Sequence, residues 1–125
     1  MEWSSNGAVP NKHCVEIVES ADPDSWHDNF LCFKKDYGVR WSFSGALTGM
    51  KCTRIFKSAD SHTWDDNFIC VPASSNFEFE WSCSGPIPNL CCIQMLEPAG
   101  PDTWDDNYIC LKESVPQISS FCFEI

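Results

Sequence analysis

Basic residues are scarce in this chain. Eight Lys and Arg stand against 18 Asp and Glu among 125 residues, for a net charge of −10. A surface that binds phosphate backbones needs clustered cations to release counterions, so the balance excludes nucleic acid as a partner. It also argues against adsorption to anionic membranes. No stretch of 18 apolar residues occurs, so no segment reads as a spanning helix and no membrane insertion is expected. The opening Met1-Glu2-Trp3 lacks a basic start and an apolar core, as expected of a chain whose leader has been removed. A sustained 3.6-residue apolar period is missing throughout, and eight prolines work against long helices. There is no Cys-x-x-Cys, and the three histidines, His13, His27 and His62, fall at unrelated places, so the cysteines do not read as a zinc site.

What is abundant is cysteine, at nine of 125 residues, together with 43% apolar residues. Such a composition suits a packed, disulfide-stabilised single domain from an oxidising, extracellular compartment. The spacing of the cysteines exposes an internal triplication. Cys14–Cys32, Cys52–Cys70 and Cys92–Cys110 bound three segments of 19 residues that align without a gap. Both cysteines are the same in all three, as are Ala21/Ala59/Ala99, Trp26/Trp64/Trp104, Asp28/Asp66/Asp106 and Asn29/Asn67/Asn107. A second block, Trp3-Ser-Ser-Asn-Gly7, Trp41-Ser-Phe-Ser-Gly45 and Trp81-Ser-Cys-Ser-Gly85, precedes each unit, and Phe121-Cys-Phe-Glu-Ile125 reads as a degenerate fourth copy. The repeats run approximately over 3–40, 41–80 and 81–125 within one domain spanning 1–125. The terminal copy either closes against the amino-terminal strand or crosses to a partner chain.

Within a unit the pattern is β. Val15-Glu-Ile-Val, Thr53-Arg-Ile-Phe and Ile93-Gln-Met-Leu predict a first strand, and Phe30-Leu-Cys-Phe, Phe68-Ile-Cys-Val and Tyr108-Ile-Cys-Leu a second. Val39-Arg-Trp-Ser-Phe and Phe77-Glu-Phe-Glu-Trp-Ser predict a third. Three units of about 39 residues imply an all-β, disulfide-rich domain with pseudo-threefold symmetry. It should be β-trefoil-like, with a β-prism-like arrangement as the alternative. The repeated spacing predicts the disulfides Cys14–Cys32, Cys52–Cys70 and Cys92–Cys110, each worth about 3 kcal/mol through the loop it closes. Cys83, Cys91 and Cys122 remain, and three cannot all pair in one chain. One of them, Cys91 being the first candidate, is expected to link two chains or stay a free thiol.

Ser25-Trp-His-Asp28, Thr63-Trp-Asp-Asp66 and Thr103-Trp-Asp-Asp106 match a capping box, and Trp26, Trp64 and Trp104 would fill the space about the axis. Gly7, Gly45 and Gly85 should supply a positive φ. Function is then expected in the polar residues beside that scaffold. They are Asp22, Asp24, His27 and Asn29 in the first unit, and Asp60, His62, Asp65 and Asn67 in the second. The third contributes Asp102, Asp105 and Asn107. Carboxylates and an amide beside a large aromatic suit a sugar, whose C–H face stacks on the ring while its hydroxyls bond in fixed directions. Three weak sites on one domain, doubled in a dimer, would gain by avidity. The same carboxylates are permissive for Ca²⁺, although no EF-hand loop is present. No repeated His or nucleophilic Ser motif points to an enzyme.

The 39-residue triplication, the Cys-x17-Cys pairs and the Trp-x-Asp-Asn-(Phe/Tyr)-(Leu/Ile)-Cys segment resemble the triple-repeat, cysteine-rich lectins of marine invertebrates. Among these are the egg and gonad lectins of sea hares that bind galactose and galacturonic acid. The resemblance implies a secreted galactoside- or uronate-binding lectin without enzymatic activity, acting on glycans of cell surfaces or mucus. For a uronate, a cation must face the carboxylate, and Arg40, Lys51 and Arg54 are the candidates. The position of Arg40 holds Glu80 and Ser120 elsewhere, and that of Arg54 holds Glu16 and Gln94, so not every unit should accept an acidic sugar. Two alternatives stand beside the lectin: a disulfide-stabilised structural or protective egg or mucus protein, and the glycan-targeting module of a toxin.

Overall fold

The computed structural model describes residues 1–17, 29–55, 66–95, 107–113 and 125. The expected capping boxes, with Trp26, Trp64 and Trp104, lie in segments outside them, apart from Asp66. Asp22, Asp24, His27, Asp60, His62, Asp65, Asp102, Asp105 and Cys122 also lie outside the described residues.

Three β-strands come from each repeat. In the first, β1 (Glu2–Ser4), β2 (His13–Glu16) and β3 (Phe30–Phe33) form an antiparallel sheet in the order β1-β3-β2. The second repeats this with β4 (Arg40–Ser42), β5 (Met50–Arg54) and β6 (Phe68–Pro72), the third with β7 (Phe77–Ser82), β8 (Cys91–Gln94) and β9 (Tyr108–Glu113). Among the described residues there is no helix. The central strands β3, β6 and β9 are the apolar runs that follow each invariant asparagine. Leu31, Ile69 and Ile109 are buried on one face, and Cys32, Cys70 and Cys110 on the other.

The three expected disulfides form, Cys14–Cys32, Cys52–Cys70 and Cys92–Cys110. Each joins residues directly opposite one another across an antiparallel pair, with Cα atoms 4.0, 4.1 and 4.0 Å apart. This pairing explains why β2, β5 and β8 begin earlier than the apolar pattern suggests: the ladder is centred on the cysteine, not on the apolar residues after it. Of the remaining cysteines, Cys91 is disulfide-bonded and Cys83 is the free thiol among the described residues. The expectation that singled out Cys91 as the odd cysteine is therefore corrected. Equal spacing from the repeat could not rank the three extra cysteines, because their pairing depends on which segments meet in space.

The turn after β1, β4 and β7 is built the same way three times. Ser4, Ser42 and Ser82 donate through Oγ to the carbonyls of Gly7, Gly45 and Gly85 at 2.6, 2.6 and 2.5 Å. Each Oγ in turn accepts from the backbone N–H two residues on, at Asn6, Ser44 and Ser84. The glycines have φ of 95°, 102° and 100°, as the sequence pattern anticipates. A second turn returns the chain to the sheet and places Asn11, Gly49 and Asn89 at φ 67°, 81° and 69°, residue types that tolerate this conformation.

The sheets meet edge to edge in a cycle. The second strand of each repeat lies against the first strand of the next: β2 on β4, β5 on β7, and β8 back on β1. We call these the first, second and third seams. Ile17, Leu31, Ile55, Ile69, Met95 and Ile109 contribute equivalently from all three repeats to one shared core. An aromatic cluster fills the same core: Phe77 and Phe79 lie edge to face at 5.7 Å, and Phe33 lies 6.3 Å from both Phe79 and Tyr37. Trp3, Trp41 and Trp81 pack on its margin. Ile125 is buried, and its carbonyl accepts from the Lys34 N–H at 2.6 Å, so this end of the chain is held by the first repeat.

Candidate functional site

The first seam opens into a cleft of about 530 Å³. One wall is β2, through Cys14, Val15 and Glu16; the other is Val39 with Arg40 and Trp41 of β4. Phe43 and Leu47, from the turn that leaves β4, form the rim. The strand register explains the arrangement. Arg40 stands opposite Cys70, and Trp41 opposite Ile69, so the two side chains leave the strand on opposite faces. Trp41 is half-buried against the core, whereas Arg40 is exposed. Phe43 is 50% exposed and is the large apolar side chain most open to solvent among the described residues. Its counterparts in the other repeats are Ser5 and Cys83.

Polar chemistry in the cleft comes from two groups. Glu16 and Arg40 are both exposed, one on each wall, and neither enters an ion pair among the described residues. A guanidinium offers a planar pair of donors to a carboxylate or to vicinal hydroxyls. The Glu16 carboxylate accepts from hydroxyls. The ring of Phe43 offers an apolar face.

The second seam is built from the same columns with different outcomes. Thr53 Oγ1 of β5 donates to the Phe79 carbonyl of β7 at 2.5 Å, and Lys51 Nζ donates to the Ser75 carbonyl at 2.8 Å. Lys51, expected as a cation for a sugar acid, is thus tied to the connection between β6 and β7. Arg54 is exposed near the end of β5, away from the cleft lining. Of the three candidate cations, the structure brings Arg40 to a cavity with aromatic rings.

Asn29, Asn67 and Asn107 are fully buried. Their backbone carbonyls accept from Ile17, Ile55 and Met95 at 2.9, 2.8 and 3.0 Å, continuing each ladder by one rung. Burial puts their amides out of reach of a ligand approaching from solvent. Neither amide atom of any of the three has a hydrogen-bond partner among the described residues. No group of three His, Cys, Asp or Glu that could hold a metal is found among the described residues. The residues that sequence reasoning missed are Glu16 and Phe43. Phe43 carried a usable signal: it is an aromatic at a turn position that holds Ser5 and Cys83 in the other copies.

Comparison with family models, curated proteins and solved structures gives no match. The cleft itself therefore carries the functional argument.

Proposed function

We propose that this chain is a secreted carbohydrate-binding protein that recognises galactose- or galacturonic-acid-type glycans, such as those of cell surfaces and mucus, without catalysis. The observation that carries the proposal is the first-seam cleft. There a guanidinium and a carboxylate, neither in an ion pair among the described residues, line a volume of about 530 Å³ together with the exposed ring of Phe43. A pyranose stacks its C–H face on Phe43, directs hydroxyls to Glu16, and, where it is a uronate, presents its carboxylate to Arg40. Of the two expected architectures, the prism-like one accords better with sheets whose three strands all come from one repeat. The three disulfides support extracellular residence. Multivalency, on this proposal, comes from assembly of chains or from the acidic segments around Asp22, Asp60 and Asp102.

The test is a glycan array on the native protein, with and without EDTA, followed by calorimetry on single variants. Galactosides or uronates should be bound equally in both buffers. Arg40→Ala should weaken a uronate by about tenfold, the scale of one charge-assisted hydrogen-bond pair, and a neutral galactoside much less. Phe43→Ala should weaken both. Loss of signal in EDTA would transfer binding to the Asp22, Asp60 and Asp102 segments as calcium ligands. The stapling of every repeat by its own disulfide favours a second reading, a protective structural protein. A blank array from a protein of high thermal stability would select it.

A further inference from the structure

The three seams have the same backbone plan but not the same closure. Register equates Glu2, Arg40 and Glu80, which stand opposite Cys32, Cys70 and Cys110. On the facing strands, Val15, Thr53 and Ile93 each follow the disulfide cysteine and stand opposite Leu31, Ile69 and Ile109. At the second seam the hydroxyl of Thr53 crosses to the carbonyl of Phe79, the residue just before Glu80. The corresponding acceptor at the first seam is the carbonyl of Val39, just before Arg40, and Val15 has no donor to offer it. The neighbouring contact changes too. Lys51 reaches the Ser75 carbonyl at 2.8 Å, whereas His13 in the same column stands 3.5 Å from Asp36, both side chains well exposed. β5 lies close along β7, while β2 on β4 and β8 on β1 only touch. The third seam carries Ile93 and no hydroxyl, but its Arg40 counterpart, Glu2, is paired with Lys12, and its Phe43 counterpart is Ser5.

We infer that the side chain in the column of Val15, Thr53 and Ile93 decides whether a seam carries a hydrogen bond that ties its two strands together, and that Val15, having no donor, leaves the first seam open as a ligand cleft. Val15 is a positioning residue: it holds nothing itself but leaves Arg40 and Phe43 accessible from the β2 side. The inference rests on the carbohydrate reading for its ligand, though not for the state of the seam.

Val15→Thr is close to isosteric, so it adds a hydroxyl without filling the cleft. Two readings are needed: hydrogen exchange without ligand, and calorimetry with D-galacturonic acid and methyl β-galactoside. In Val15→Thr, amides of 13–17 and 39–43 should exchange more slowly, and both sugars should bind roughly three- to tenfold more weakly, the net value of one hydrogen bond that must open. Val15→Ala, which adds no donor, should not slow exchange over 39–43. Thr53→Val should do the converse at the second seam, accelerating exchange over 77–82, and serves if Val15→Thr folds poorly. Unchanged exchange in both variants would overturn the inference. So would three equivalent sugars per wild-type chain, although that result would leave the carbohydrate reading standing. If the wild type binds neither sugar, the carbohydrate reading fails, and the exchange data alone then decide whether this column seals the seams.

Discussion

A buried amide without a partner costs about 1–3 kcal/mol, and those of Asn29, Asn67 and Asn107, in equivalent positions of the interior, have none among the described residues. Their backbone carbonyls close the last rung of each ladder, a role that any residue could play. What asparagine brings there is a short, neutral, planar side chain at a fully buried position. Charge is the property that site should refuse. Asn67→Asp keeps the shape and adds an ionisable group whose charged form burial disfavours. Its carboxyl should therefore titrate higher in the folded than in the unfolded chain. The deficit in stability should be small below the ordinary aspartate range and grow as pH rises through it, to about 2–4 kcal/mol at neutral pH. Urea unfolding at pH 3.5 and pH 7 measures it; equal deficits at the two pH values would show that the carboxylate finds water or a cation. In the sequence, invariance reads these asparagines as scaffold, left-handed or closing an Asx turn, and only their polarity beside the acidic turn reads them as sugar contacts. Polarity alone does not say whether a residue faces solvent, and here the ladder draws it inward.

At the level of the element, the unit that carries stability is the disulfide-bridged pair of strands. Cys52 and Cys70 face each other across β5 and β6, and the bond closes a segment of 19 residues. Replacing both with Ala should cost about 3 kcal/mol, by the entropy restored to the unfolded chain. Thermal unfolding of the double variant checks this, and a loss under about 1 kcal/mol would mean that the unfolded chain stays compact without the bond. Strand identity was legible because Phe30–Phe33, Phe68–Pro72 and Tyr108–Glu113 are short apolar β-formers bounded by turn residues. The edges of β2, β5 and β8 were less so. Their limits follow the cross-strand register of the cysteines, a tertiary constraint that periodicity does not carry.

For the molecule as a whole, an odd number of cysteines leaves at least one unpaired in any single chain. The structure assigns that place to Cys83 among the described residues. Alkylation of the native protein should therefore add one group per chain, mapped to Cys83 by peptide mass analysis. A covalent dimer on non-reducing electrophoresis, with no adduct at Cys83, would instead put that thiol between two chains.

Sequence by itself determined the triplication, the β class, the three intra-repeat disulfides and the glycine turns. All of these depend on contacts between residues of one repeat, at fixed spacing, and so are written locally. Tertiary structure alone decided which extra cysteine is free among the described residues, that the asparagines are buried, and which seam opens. Those outcomes depend on what a neighbouring repeat places opposite a given column. Thr53 meets the Phe79 carbonyl and seals its seam, while Val15 faces Val39 and leaves a cleft. A one-atom difference between near-isosteric side chains acts only once the cycle of sheets has brought them to face each other.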